Sequence, residues 1–257
     1  MAECPTRVIR MDFKDGYPRP TPDFYDFCLK CGHCVAVCPT EALSLHWLRP
    51  EDCKPIKSEL VVTPEQVEQL LSGRRSIRSF KGKLVPRAIL EKLLEIASFA
   101  PSVKNQQPWH WIVVQNPKEV RRLAGMVIDW MHTVIQNNLE EAELMGFTRV
   151  AAHWDEGYEY ICRGAPHLIV VHASSNLRSG AEDCALALSL FDLYATSFGI
   201  GTCWGGYFCR ATNAYTALSE ALGIPSDHLA FGTMMIGYPK FQYQRIPIRN
   251  RPVVTWK

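Results

Sequence analysis

Apolar and polar residues alternate along this chain with two different periods, and the period changes mark most of its elements. Residues 85–100, VPRAILEKLLEIASFA, place apolar side chains three and four apart, the spacing of a helix with one buried face. Residues 116–138, NPKEVRRLAGMVIDWMHTVIQNN, read as a long helix by the same pattern. Residues 181–201 are apolar nearly all round, which predicts a central helix. Between these lie short apolar runs of strand length: WIVVQ at 111–115, PHLIVVHA at 166–173 and LAFGTMMIGYP at 229–239. Thr63, Pro64 and Gln66 carry the signature of a helix start. The pattern predicts an α+β or three-layer fold. Residues 143–160 are too irregular to assign to an element.

The first 56 residues follow neither period. They contain the turn-rich KDGYPRPTPD and a proline-rich exit, RPEDCKPIKS, so a small module is expected over 1–56 and a larger domain over 57–257. The chain has 257 residues, 47% hydrophobic and 21% charged, enough to bury a sizeable core. A net charge of +2 gives no reason to expect nucleic acid or an anionic membrane as a partner. No apolar run reaches the length of a membrane span, and MAECPTRVIR lacks the apolar core of a signal peptide, so a cytoplasmic location is expected. Ten cysteines in a chain without export are then a poor disulfide framework.

Half of those cysteines lie in the first 38 residues. CLKCGHCVAVCP, residues 28–39, spaces Cys28, Cys31, Cys34 and Cys38 by two, two and three residues and ends in Pro39, the run that holds four-iron, four-sulfur clusters in bacterial ferredoxins. In that arrangement the fourth cysteine serves a different cluster from the first three. Cys4 supplies the missing ligand: ECPTRVI repeats the Cys-Pro-Thr start of VCPTEAL at 37–43, as if the two were second halves of two ferredoxin repeats. Cys4 is therefore expected to complete the set with Cys28, Cys31 and Cys34, leaving Cys38 without a cluster of its own. Three residues precede Cys4, so Met1 is expected to stand at an internal methionine of a two-cluster module, or at a shifted ancestral start. Structural zinc sites pair two knuckles of two cysteines each, a poor match to this spacing. Cys53 reads as a linker cysteine rather than a spare ligand, and Cys162, Cys184, Cys203 and Cys209 as core or pocket lining.

A second group of residues begins with SGRRSIRSF at 72–80, where Arg74, Arg75 and Arg78 surround Ser76 just after a helix. Guanidinium forks and a hydroxyl suit a phosphate or an electron-rich ring edge, although three arginines alone also describe a solvated helix end. APSVKNQQPWHW at 100–111 adds the amides of Asn105, Gln106 and Gln107 on a proline-bracketed loop, able to read the polar edge of a heterocycle. GIGTCWGGYF at 199–208 offers glycines that let backbone amides approach a flat ligand. It lacks the GxGxxG spacing of a dinucleotide fingerprint.

With these stretches in this order, residues 60–257 resemble the nitroreductase family of FMN enzymes, and the whole chain resembles the ferredoxin-fused nitroreductases. The resemblance implies an α/β/α sandwich that forms a homodimer with FMN at the subunit interface. By position, Arg74, Arg75 and Ser76 would hold the FMN phosphate and Arg78 the N1/O2 edge. Asn105 would meet the pyrimidine edge, and the amides of Gly205 and Gly206 would face N5 and O4. Arg249 and Arg251 would close on the phosphate, with Ser102, Gln107 and Trp204 completing the cofactor contacts. No side chain is assigned as catalytic, because the flavin does the chemistry. The resemblance further implies electrons from NAD(P)H or a reduced ferredoxin, passed to a small acceptor such as a nitroaromatic, a quinone or an activated double bond. Two other functions fit parts of the sequence: an electron-transfer protein serving a protein partner, and a zinc-stabilised binding module without flavin.

Overall fold

The computed structural model describes residues 2–12 and 14–257; the expectation about Met1 concerns a residue outside those described. The chain divides into two compact units, Met1–Thr63 with Val103–Gln106, and Pro64–Ser102 with Gln107–Lys257.

The first unit is small. Its two strands, β1 (Ile9–Met11) and β2 (Pro18–Pro20), pair antiparallel across the turn that KDGYP predicts. Two one-turn helices follow, α1 (Phe24–Phe27) and α2 (His33–Ala36). Among the described residues its buried core is Val8, Ile9, Phe24, Val35 and Leu43, with Cys4, Cys28, Cys34, Cys38, Cys53, Leu45, Trp47 and Leu48 packed against them. Small domains commonly rely on a metal or a cross-link to supplement a core of this kind. Cys53, read as a linker residue, is thus half-buried beside this core.

The second unit is a sheet between two helical layers. Its elements in chain order are α3 (Pro64–Gly73), α4 (Arg87–Ala97), β3 (His110–Val114), α5 (Pro117–Asn137), α6 (Leu139–Leu144), α7 (Phe147–Asp155), β4 (His167–Ser174), α8 (Gly180–Ser197), β5 (Gly201–Trp204), α9 (Gly206–Ala214), α10 (Thr216–Leu222) and β6 (His228–Gly237). The strand order is β3-β4-β6-β5, every pair antiparallel. Helix α3 starts at the predicted Pro64, and α5 begins under an Asn116 cap whose side chain accepts from the Lys118 amide at 3.0 Å.

Strand β4 shows why this sheet needs cover on both faces. Leu168 and Val170 join the core under α5, α7 and α9, while Ile169, Val171 and Ala173 join the core under α4 and α8. Both sets are fully buried, so the strand reads as a continuous apolar run. The all-round apolar reading of 181–201 is corrected in one respect: α8 has a buried face of Cys184, Ala187, Leu188, Phe191 and Ala195, and the central element is β4. The unassigned stretch 143–160 contains the end of α6 and the whole of α7, which buries Phe147, Val150 and Ala151. Among the described residues no helix is long and apolar enough to cross a membrane.

Candidate functional site

In the first unit, Cys4, Cys28, Cys31 and Cys34 line one cavity, together with Val8, Leu29 and Leu45 among others; Cys38 is not in its lining. The loop that brings three of them together turns at Gly32, whose φ of +74° lies in the left-handed region. A Cβ there would also stand 2.8 Å from Leu48 Cδ2, so a larger residue would have to displace that side-chain tip. The two Cys-Pro-Thr segments adopt matching local geometry, with Cys4 Sγ 3.8 Å from Thr6 Oγ1 and Cys38 Sγ 3.7 Å from Thr40 Oγ1. Burial tends to raise the Cys4 thiol, but the Thr6 hydroxyl and the surrounding amides outweigh it and lower its pKa. Cys34 is raised, first by burial and then by its neighbours Cys31 and Cys28. All the described cysteines are free of disulfides. Four thiols framing one small cavity fit a thiolate-held cluster. Among the described residues, no group of three or more His, Cys, Asp or Glu side chains is arranged to hold a single metal ion.

In the second unit the arginines of 74–78 run along the edge of β5. Ser76 bridges Thr202 in parallel, and the Ile77 amide donates to the Thr202 carbonyl at 2.8 Å. Gly201 permits this approach, since a Cβ there would meet Ile77 Cγ1 at 2.3 Å. The segment separates two cavities. Arg74 and Arg75 line one of about 790 Å³, with Asp192, Thr202, Tyr238 and Lys240. Arg78 lines the other, of about 440 Å³, with Trp204, Gly205, Gly206, Tyr160, Arg163 and Arg210.

Arg74 is already engaged. Its guanidinium lies 3.3 Å from the carboxylate of Asp192, which is buried and also accepts from the Thr202 hydroxyl. Burial raises the Asp192 pKa, and the Thr202 and Arg74 contacts pull against it. A guanidinium carries five donors, so Arg74 can meet Asp192 and an anion together. Sequence reasoning passed over Asp192, yet a lone carboxylate in the apolar run ALALSLFDLYA was a readable signal.

At the second cavity, α9 begins at Gly206, where backbone amides lack intrahelical acceptors and the helix end attracts electron density. The Gly205 amide donates to the Thr233 carbonyl at 2.9 Å, so it is spent within the fold. Gly206 differs: a Cβ on it would meet nothing within 4 Å, so there is open space beside its Cα. That space and the charge of Arg78 fit a flat, electron-accepting ring. Tyr160, Arg163 and Arg210, not anticipated from sequence, complete the wall. The Arg163 guanidinium stacks 4.2 Å from the Tyr160 ring centre, and Arg210 pairs with Glu141 at 3.0 Å.

The other expected residues are placed differently. Ser102 Oγ accepts from the Gln107 amide at 2.9 Å, fixing a loop in which Lys104, Asn105 and Gln107 all take positive φ. Asn105 belongs to the first unit, where its side-chain amide donates to the carbonyls of Leu29 and Lys30 at 3.4 and 3.3 Å, beside the cysteine loop. Arg249 and Arg251 lie in an exposed tail without regular structure and are not among the residues lining the Arg74 cavity.

The sandwich, the arginine-bearing edge and the amides at the start of α9 define a flavin-dependent oxidoreductase class, and comparison with known proteins agrees. Residues 71–238 match the nitroreductase family and residues 23–44 a 4Fe-4S binding domain, so the chain belongs to the nitroreductase family and carries an iron–sulfur-binding segment. It is 29% identical over 181 residues to a protein of Archaeoglobus fulgidus named for NADH dehydrogenase or NAD(P)H nitroreductase activity, covering 68% of this chain and 87% of that one. It is 25% identical over 229 residues to the 4-nitrobenzoate reductase of a Nocardioides strain, covering 76% and 88%. Among solved structures, a nitroreductase with bound FMN from Desulfitobacterium hafniense superposes with a TM-score of 0.62 at 23% identity, covering 76% of this chain and 99% of that one.

Proposed function

We propose that this protein is an FMN-dependent oxidoreductase that also carries one four-iron, four-sulfur cluster, and that it passes electrons from the cluster, from NAD(P)H or from both to a small acceptor. Nitroaromatics, quinones and activated double bonds are the acceptor classes of this reading. The observation that carries it is the 440 Å³ cavity lined by both Arg78 and Gly206, with open space beside the Gly206 Cα. Bound FMN supplies chemistry in either one- or two-electron units, which suits a partner cluster that carries one electron at a time.

The chain's own part is placement and electrostatics. Arg78 places positive charge at the N1/O2 edge, where it favours the reduced ring. The first-turn amides of α9, that of Gly206 above all, donate to the N5/O4 edge, with Gly205 and Trp204 beside them. Arg74, Arg75 and Ser76 serve the phosphate, with Asp192 holding Arg74 in place. Ser102 accepts from the Gln107 amide and Gln107 serves the pyrimidine edge, the Asn105 amide being spent on the Leu29 and Lys30 carbonyls, and Arg249 and Arg251 close on the phosphate in the homodimer. Cys4, Cys28, Cys31 and Cys34 hold the cluster, and Cys38 takes no part in it. The module over 1–56 and the flavin domain over 57–257 are the two working parts, and the cytoplasm is their expected compartment.

The test is anaerobic turnover of a nitroaromatic and a quinone panel with NADH, NADPH or a reduced ferredoxin. Steady turnover with any donor supports the reading. A protein that is reduced and reoxidised only by protein partners, with no small-molecule turnover, is instead an electron carrier.

A further inference from the structure

Arg78 serves the flavin in the proposed function, but two further arginines, Arg163 and Arg210, line the same 440 Å³ cavity, and among the described residues no Asp or Glu does. The turn that presents Arg163 is held by Glu159, whose carboxylate accepts from the amides of Cys162 and Gly164 at 2.6 Å each. Arg163 itself takes a φ of +57°, in the left-handed region that residues with a Cβ rarely occupy. Backbone of that kind persists only where its surroundings impose it, and it clusters at binding sites. The Arg163 guanidinium lies over the Tyr160 ring, and among the described residues it forms no ion pair. Arg210 is aligned by the Met145 sulfur at 3.3 Å and by Glu141 at 3.0 Å. Both members of that ion pair are largely exposed, so the pair is weak, and a guanidinium has five donors to share.

The cavity is therefore positive beyond what the flavin edge uses, and a concave wall of one sign concentrates ions of the other. The Tyr160 hydroxyl registers this field: its pKa is lowered, first by a hydrogen bond with Arg163 and then by the charges of Arg163, Arg149 and Arg78. The uncharged part of the lining suits a ring. Trp204 is exposed, the Tyr207 hydroxyl is tied to the Met145 carbonyl at 3.3 Å, and Met145 and Met235 add adaptable thioethers. Resting on the flavin reading of this cavity, we propose that the small acceptor is an aromatic acid, its carboxylate held by Arg163 and Arg210 and its ring by Tyr160, Trp204 and Tyr207. Guanidinium forks match a carboxylate in shape as well as charge. A neutral ring of the same size would displace water from both cations and replace none of its hydrogen bonds, which is how this wall rejects uncharged competitors.

The experiment uses the protein loaded with cluster and flavin, and two ligands of one shape, benzoate and benzamide, neither of which a flavin reduces. Calorimetric titration without oxygen should find benzoate bound at least about tenfold more tightly than benzamide, the lower end of what a charge-assisted hydrogen bond contributes. Added sodium chloride should shrink that preference. Arg163→Gln and Arg210→Gln should each cut benzoate affinity about tenfold, leave benzamide affinity unchanged and keep the flavin. Arg163→Lys keeps the charge and loses the fork, so it should fall between, and it carries the test should the glutamine variant lose flavin. Arg87→Gln, at an exposed pair with Glu91 on α4, should change neither affinity. Equal affinities for benzoate and benzamide in flavin-loaded protein would overturn the assignment, as would a benzoate preference that the Arg163 and Arg210 variants all retain. A protein that takes up no flavin refutes instead the reading on which the inference rests, and the flavin content of each preparation separates the two failures.

Discussion

Removing Arg74 should damage two things at once, and the two can be separated. The guanidinium sits 3.3 Å from an Asp192 carboxylate that is almost wholly buried. Breaking a fully buried pair by deleting one partner costs about 3–5 kcal/mol. The Arg74 side chain is a quarter exposed, so water screens part of the interaction, and about 2–3 kcal/mol is expected for Arg74→Ala at neutral pH. Burial has already raised the Asp192 pKa, and loss of Arg74 raises it further. A carboxyl with a raised folded pKa costs stability as pH rises through that pKa, because the folded state must give up a proton it holds more tightly than the unfolded chain does. The deficit of Arg74→Ala should therefore shrink as the pH is lowered. In an Asp192→Asn background the same substitution should cost about 1 kcal/mol or less, since no buried charge is orphaned. Urea unfolding of the flavin-free protein measures these terms, and FMN titration of the refolded variant adds a separate loss of about 1.5–3 kcal/mol in affinity. A deficit that is equal in both backgrounds and flat with pH would refute the claim that Asp192 and Arg74 are coupled.

At the cysteine cavity, Cys4→Ser should remove the cluster signal from low-temperature EPR as completely as Cys31→Ser does, while Cys38→Ser should leave it. Loss with Cys38→Ser and retention with Cys4→Ser would assign the cluster to the four contiguous cysteines instead. Gly206→Ala should lower flavin content without lowering the unfolding midpoint, because its Cβ meets no protein atom within 4 Å. Gly205→Ala should destabilise by about 1–3 kcal/mol, because its Cβ would stand 2.6 Å from Thr233 Oγ1; thermal unfolding with and without FMN checks both. Stability should also fall between pH 7 and pH 5. His167 accepts from the Val85 amide at 2.9 Å and donates to the Gln115 carbonyl at 2.9 Å, and burial lowers its pKa from 6.5. His172, held down to about 4 by burial and then by His228 and His110, acts in the same direction. Both stay neutral in the fold and charge more readily once unfolded, so the stability present above pH 6.5 is lost as protons are added. A urea midpoint that does not move over that range would remove these histidines from the account.

Much of the scaffold was legible because burial writes itself into period. The helices α4 and α5 and the strands β3, β4 and β6 each carry an apolar repeat of their own. Strand β5 was hidden because its four residues, Gly201–Trp204, include a glycine chosen for close approach to Ile77 rather than for packing. Helix α7 was hidden because its buried residues are few and its flank, DEGYEY, is polar. At the cysteines, spacing named Cys28, Cys31 and Cys34, and the repeated Cys-Pro-Thr start added Cys4; these four line one cavity. The pairing of Arg74 with Asp192 was not legible: 117 residues lie between the partners in the chain, and the packing of α8 against β5 brings them together. The diversion of the Gly205 amide to Thr233 was equally invisible, because a glycine pair gives no sign of which amide the sheet will use.

The most direct test of the account is the iron, acid-labile sulfide and flavin content of the protein purified without oxygen. The account predicts about four irons, about four sulfides and about one FMN per chain, for a single cluster beside a single flavin. About eight irons per chain would contradict the ligand set of Cys4, Cys28, Cys31 and Cys34. Iron without flavin would contradict the reading of Arg78 and Gly206 as a flavin cradle.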